Sequence, residues 1–207
     1  MTQPIGAAEI DAVVESAIVT LSGADLDWSA VAGSLEWTRW ELLGHMADDL
    51  FGYAAQLGAP GITTYVPFLL SRVRADAPNE TIHIADDAGV DGAMQVLRST
   101  GSMLAGVVDR TADSARAHHV WGASDRTGFA AMGIVEVLVH MHDLTVDTDT
   151  VWSPSPELCA AVLVRLFPDV DVGDDPWQSL LWATGRVDLA DRLHRESWRW
   201  DGAVRGV

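Results

Sequence analysis

Residues 128–144 read GFAAMGIVEVLVHMHDL, and this run decides the fold. From Phe129 to Met141 nearly every residue is apolar, which no amphipathic surface helix requires; a helix greasy on all sides is covered on most sides. The exceptions are Glu136 and His140. They stand four residues apart, so their side chains lie on one face, one turn above the other. A carboxylate inside such a helix is costly unless paired.

A second stretch, WELLGHMADDLFGYAAQL at 40–57, has the clearest boundaries in the chain. Thr38 and Glu41 form a capping box, Trp37 and Leu42 suit a hydrophobic staple, and Gly58 with Pro60 ends the helix. Within it His45 sits between Leu43 and Met46. Two readings of His45, Glu136 and His140 stay open. They are core polar groups satisfied by neighbours, or they share one divalent ion. Imidazole with carboxylate suits zinc, and nickel or ferrous iron could also bind. Three protein ligands would leave a coordination position for water or substrate, as catalytic sites do.

Outward from these helices, Ile10, Val13, Val14, Ile18 and Leu21 fall at helical spacing, as do Val90, Met94, Leu97, Leu104 and Val107. Four long helices without strand-like alternation predict an all-α four-helix bundle. Residues 59–86 are less regular; Tyr65–Val73 could form a short helix. Ser155-Pro156 and Asp175-Pro176 each read as an N-cap followed by proline at the first helical position. They predict short helices ending near Phe167 and at Gly185. Trp198-Arg199-Trp200-Asp201-Gly202 reads as a strand entering a small β-hairpin. We divide the chain into a bundle over 1–150 and an extension, 151–207, packed on the same domain.

Thirty acidic residues against 13 basic ones give a formal charge of −17. Such a surface repels phosphate backbones and anionic lipid, which argues against nucleic acid and membrane as partners. No uncharged apolar run reaches the roughly 18 residues of a membrane span. Cys159 is the single cysteine, so an internal disulfide and CxxC chemistry are excluded. It sits among apolar residues and reads as inert. The N-terminus lacks the basic and apolar regions of a secretory signal, and the expected location is cytoplasmic. Asn79-Glu80-Thr81 matches a glycosylation sequon that carries no meaning in that setting.

Other candidates carry less. Asp49, one turn beyond His45, and Asp143, near His140, could orient a ligand histidine or simply belong to a solvated face. Asp49 and Tyr53 are the candidate pocket residues. His142 should point away from His140. His118 and His119 read as surface histidines or as a pocket mouth. Arg72, Arg74 and Arg126 could meet an anionic substrate. The tryptophans read as packing residues. A homodimer could use the apolar fourth helix or the tryptophan-rich tail.

The stretch EWTRWELLGHMADDLFGYAAQL, followed by GFAAMGIVEVLVHMHDL, resembles the DinB-like superfamily. Within it, residues 8–150 resemble the N-terminal domain of mycothiol-dependent maleylpyruvate isomerases. The segments RLFPDVDVGDDPW and LLWATGR look like the end of a subgroup of that superfamily. The resemblance implies a DinB-like four-helix bundle in which His45, Glu136 and His140 hold the metal. It further implies an enzyme that activates mycothiol, or another low-molecular-weight thiol, as co-substrate for isomerisation or S-transfer on a small electrophile. In the isomerases a further C-terminal domain supplies a substrate-binding arginine; Arg186 and Arg192 are the candidates here. Superfamily members with the same triad differ in reaction. A non-catalytic small-molecule or metal-binding protein, and a metal-dependent hydrolase using water, therefore stand as alternatives.

Overall fold

Thr38 closes the start of the helix that the sequence marks most clearly. Its hydroxyl accepts from Glu41 N at 3.2 Å, and the Glu41 carboxylate accepts from Thr38 N at 2.8 Å. Each bond satisfies a donor that a helix start leaves open, and such a cap contributes about 1 kcal/mol. The computed structural model describes residues 5–190 and 192–204. They form α1 (Ala7–Ser22), α2 (Arg39–Leu57), α3 (Gly89–Arg110), α4 (Arg126–Thr145), α5 (Pro156–Leu166) and α6 (Pro176–Ala183). Among the described residues there is no sheet, only isolated bridges such as Ser71–Glu80 and Ala117–Ser124. The chain is all-α.

The caps expected at Ser155 and Asp175 form as well, and Asp125 adds one that was not expected. Asp125 accepts from Gly128 N, Ser155 from Leu158 N and Asp175 from Gln178 N. Gly185, with φ of 71°, follows α6 in the left-handed conformation that glycine adopts without penalty.

Burial explains the composition of α4. It packs against α1, α2, α3 and α5, and its residues from Gly128 to Met141 are all buried. Gly133 is required there. A Cβ at that position would lie 2.4 Å from Leu104 Cδ2 and 3.2 Å from Leu50 Cδ2, so its absence lets α2, α3 and α4 approach closely. Leu42, Leu43, Met46, Leu50, Leu97 and Leu104 fill the same core. Because α4 is covered by its own chain, it offers no dimer face. The tryptophan-rich tail is likewise engaged internally, Trp200 packing edge-on to Trp121 at 4.6 Å.

Two expectations fail. Tyr65–Val73 is not helical. Its apolar side chains find no core to cover, Leu69 being 90% exposed and Val73 63%, and a short helix without a packed face is unstable in water. Instead the Gln56 amide grips the segment, donating to Thr64 O and accepting from Val66 N. Residues 198–204 form no strand. Neither Asp201 nor Gly202 has the positive φ of a type I′ turn. Asp201 N donates to Leu166 O and Gly202 N to Trp121 O, so tertiary partners take the bonds a hairpin would use. The end of the expected returning arm, 205–207, lies outside the described residues. No helix of the described residues is long and apolar enough to cross a membrane.

Candidate metal centre and the adjoining cavity

α2 and α4 bring their polar residues face to face. The imidazoles of His45 and His140 stand 5.4 Å apart between ring centroids. His45 Nε2 lies 3.3 Å from Asp49 Oδ2, and His140 Nε2 lies 3.1 Å from Glu136 Oε2. Ligand atoms of His45, Asp49 and His140 all fall within 4.8 Å of one another, so this group could hold a metal ion. Glu136 stands beside the group, its other oxygen accepting from the Tyr53 hydroxyl at 2.9 Å. The three residues selected from sequence are thus brought together, and Asp49 joins them as a potential ligand rather than only as a neighbour.

The outer nitrogens are also backed by carboxylates. His140 Nδ1 meets Asp143 Oδ2 at 3.1 Å, and Asp143 is held from behind by Arg186 at 2.9 Å. His45 Nδ1 faces Glu80 Oε1 at 4.0 Å. Neither of these last two buried atoms has a hydrogen-bond partner. A carboxylate bonded to the far ring nitrogen aims Nε2 at a cation and raises ligand basicity; His140 has this bond and His45 does not. The nitrogen and oxygen donors suit zinc, and the orphaned His45–Glu80 pair is what an unfinished version of such a support would leave.

Electrostatics follows from burial. Burial, and then the charge of His140, lower the His45 pKa to about 4, leaving the ring neutral with a free lone pair. Burial opposes charge on His140 too, but its bonds to Asp143 and Glu136 win and hold its pKa above the usual value. Burial and the neighbouring Glu136 push Asp49 well above the carboxylate range. Burial, with Asp48 and Glu41 nearby, raises Glu80 to about 8.

A cavity of about 220 Å³ adjoins this cluster, lined by Asp48, Asp49, Tyr53, Tyr65, His119 and Phe129 among others. Asp49 belongs to both cluster and cavity, and Tyr53 links the cavity to Glu136. His119, expected at the surface or a pocket mouth, is only 8% exposed and lines this cavity. His142 points away from His140 as expected and packs against Trp177. The arginines go elsewhere. Arg74 pairs with Glu41 and Arg126 with Asp113, Arg72 bonds Ala75 O, and Arg192 bonds Asp171 O. Cys159 is buried, and burial pushes its thiol up to about 12, which keeps it from acting as a thiolate.

Glu80 was not found by sequence reasoning. It sits in an irregular segment, where no periodicity marks a buried position, and only the three-dimensional pairing of Ser71 with Glu80 carries it over Gly44 of α2. Comparison with family models, curated proteins and solved structures gives no match.

Proposed function

We propose that the chain is a metal-dependent enzyme of the DinB-like kind, its four long helices forming a DinB-like bundle. Its reaction is isomerisation or S-transfer on a small electrophile, with mycothiol or a similar low-molecular-weight thiol as co-substrate. His45, Glu136 and His140 hold the divalent ion, zinc by donor type, with nickel and iron as competitors, and Asp49 offers a further carboxylate. The observation that carries this reading is the convergence of His45, Asp49 and His140 within 4.8 Å beside a cavity. When bound, such an ion lowers the pKa of a thiol or water that joins it, supplying a nucleophile near neutral pH.

The residues of the chain do the rest. Asp143, fixed by Arg186, orients the His140 imidazole, and Glu80 stands 4.0 Å behind His45 Nδ1. Tyr53 donates to Glu136 and so sets the direction of that carboxylate. The buried Cys159 takes no part, which fits a thiol supplied from outside. A homodimer, if formed, uses a face other than α4; exposed Leu69, Leu70 and Val73 offer one.

The test is an anaerobic titration of the zinc-loaded protein with mycothiol, followed by a screen of electrophiles with and without thiol. Binding heat and thiol-dependent turnover are expected. Turnover that ignores thiol would replace this reading with a hydrolase. Neither binding nor turnover would leave a non-catalytic binding protein.

A further inference from the structure

His119 has a fixed orientation that the metal reading does not use. Its Nδ1 accepts a hydrogen bond from Trp121 N at 3.1 Å. A ring nitrogen that accepts carries no proton, so in the neutral ring the proton resides on Nε2. Burial lowers the His119 pKa to about 4, so the ring is neutral at physiological pH. Tyr53, Tyr65, Trp121 and Trp200 surround it at centroid distances of 5.6–6.3 Å. Among the described residues no protein acceptor meets Nε2.

The charge of the cavity is equally informative. Asp48 and Asp49 line it, and no arginine does. The sequence contains no lysine at all. Arg186, one candidate for a substrate-binding arginine, is committed to Asp143 through two bonds. In the metal-free chain an anionic molecule would enter this cavity without a counter-charge from its lining, which is unfavourable in a desolvated site. An uncharged molecule meets the two carboxyl groups, the ring faces of Tyr53, Tyr65 and Phe129, and the His119 imidazole.

We propose that the cavity beside the candidate metal centre takes an uncharged carbonyl compound whose oxygen accepts a hydrogen bond from His119 Nε2–H. This specifies the substrate class and rests on the reading of the adjoining cluster as the reaction centre. The donor would anchor the carbonyl and draw electron density from its carbon, while Tyr53, Tyr65 and Phe129 cover the flat part of the molecule.

The test uses the full ¹⁵N-labelled chain, stripped of metal by chelator, with benzamide and benzoate as probes. The two share a ring and nearly a shape and differ in charge. Ring-nitrogen correlation spectra should show His119 protonated on Nε2 and bare on Nδ1. Benzamide should shift the Nε2 signal, and benzoate should bind at least about tenfold more weakly. H119F should lose benzamide by about tenfold or more, whereas H119Q, which keeps an N–H donor, should retain most of the affinity. A proton on Nδ1, no benzamide binding, benzoate binding as tight as benzamide, or unchanged affinity in H119F would each overturn the inference. Metal uptake, measured separately on the same variants, should equal that of wild type. Benzamide binding as expected with no metal uptake would sink the metal reading and leave the cavity assignment standing. Metal uptake without benzamide binding would do the reverse.

Discussion

The paired helices α2 and α4 and the connections that cover them contribute in different ways. The helices supply His45, Asp49, Glu136 and His140 at spacings fixed by the helical turn, from backbones pinned by caps and by burial on nearly every side. The connections, 58–88 and 111–125, supply Glu80 and His119 from irregular backbone held by a few specific bonds: Ser71 with Glu80, Ala117 with Ser124, and the Gln56 amide with Thr64 and Val66. Helices therefore hold the atoms that would meet a cation, and irregular connections hold the atoms that would choose a substrate. Loops on a fixed scaffold commonly divide labour this way.

The comparison breaks most easily on the helix side. D143A removes the partner of both His140 and Arg186, each largely buried. Breaking a buried ion pair by deleting one member costs about 3 kcal/mol or more, and a urea unfolding curve should show a loss of that size. A loss near zero would mean that α4 does not depend on its polar ladder.

E80Q probes the connection side. It should leave the fold intact yet weaken metal affinity by roughly tenfold or more above about pH 8, where Glu80 carries its charge behind His45. Competition against a chromophoric chelator would measure this. Unchanged affinity would show that Glu80 merely caps a loop.

Proton linkage sharpens the same contrast. Burial and Glu136 raise the pKa of Asp49, and bonds to Asp143 and Glu136 raise that of His140 against its burial. In the metal-free protein both therefore keep their protons into a higher pH range than free side chains do. Cation and proton compete for the same atoms, so affinity should rise with pH across that range and metal entry should release protons. Calorimetry in buffers of different ionisation heat detects the release. Metal entry without proton release would place the ion elsewhere. At the other extreme, L69S in the exposed part of the first connection should change stability by no more than about 0.5 kcal/mol in a thermal melt.

The division also explains what could be read in advance. His45, Glu136 and His140 were legible because polar residues stand out against an apolar helical period, and α2 because Thr38, Glu41 and Gly58 mark its ends. Tyr65–Val73 looked helical by composition, but composition does not reveal that nothing lies beneath it to be covered. Glu80 and His119 are buried by partners distant in sequence, through backbone pairing that leaves no local pattern. The Trp198–Gly202 run had the right residues for a turn, and contacts with Leu166 and Trp121 overrode them.

Elemental analysis of the chain purified without added metal, beside a His45→Ala/His140→Ala double variant, bears most directly on the convergence of α2 and α4 around a cation. About one equivalent of divalent transition metal in the wild type and essentially none in the variant is the expected result. A wild-type chain that stays empty after incubation with zinc, or a variant that binds as much as wild type, would contradict it.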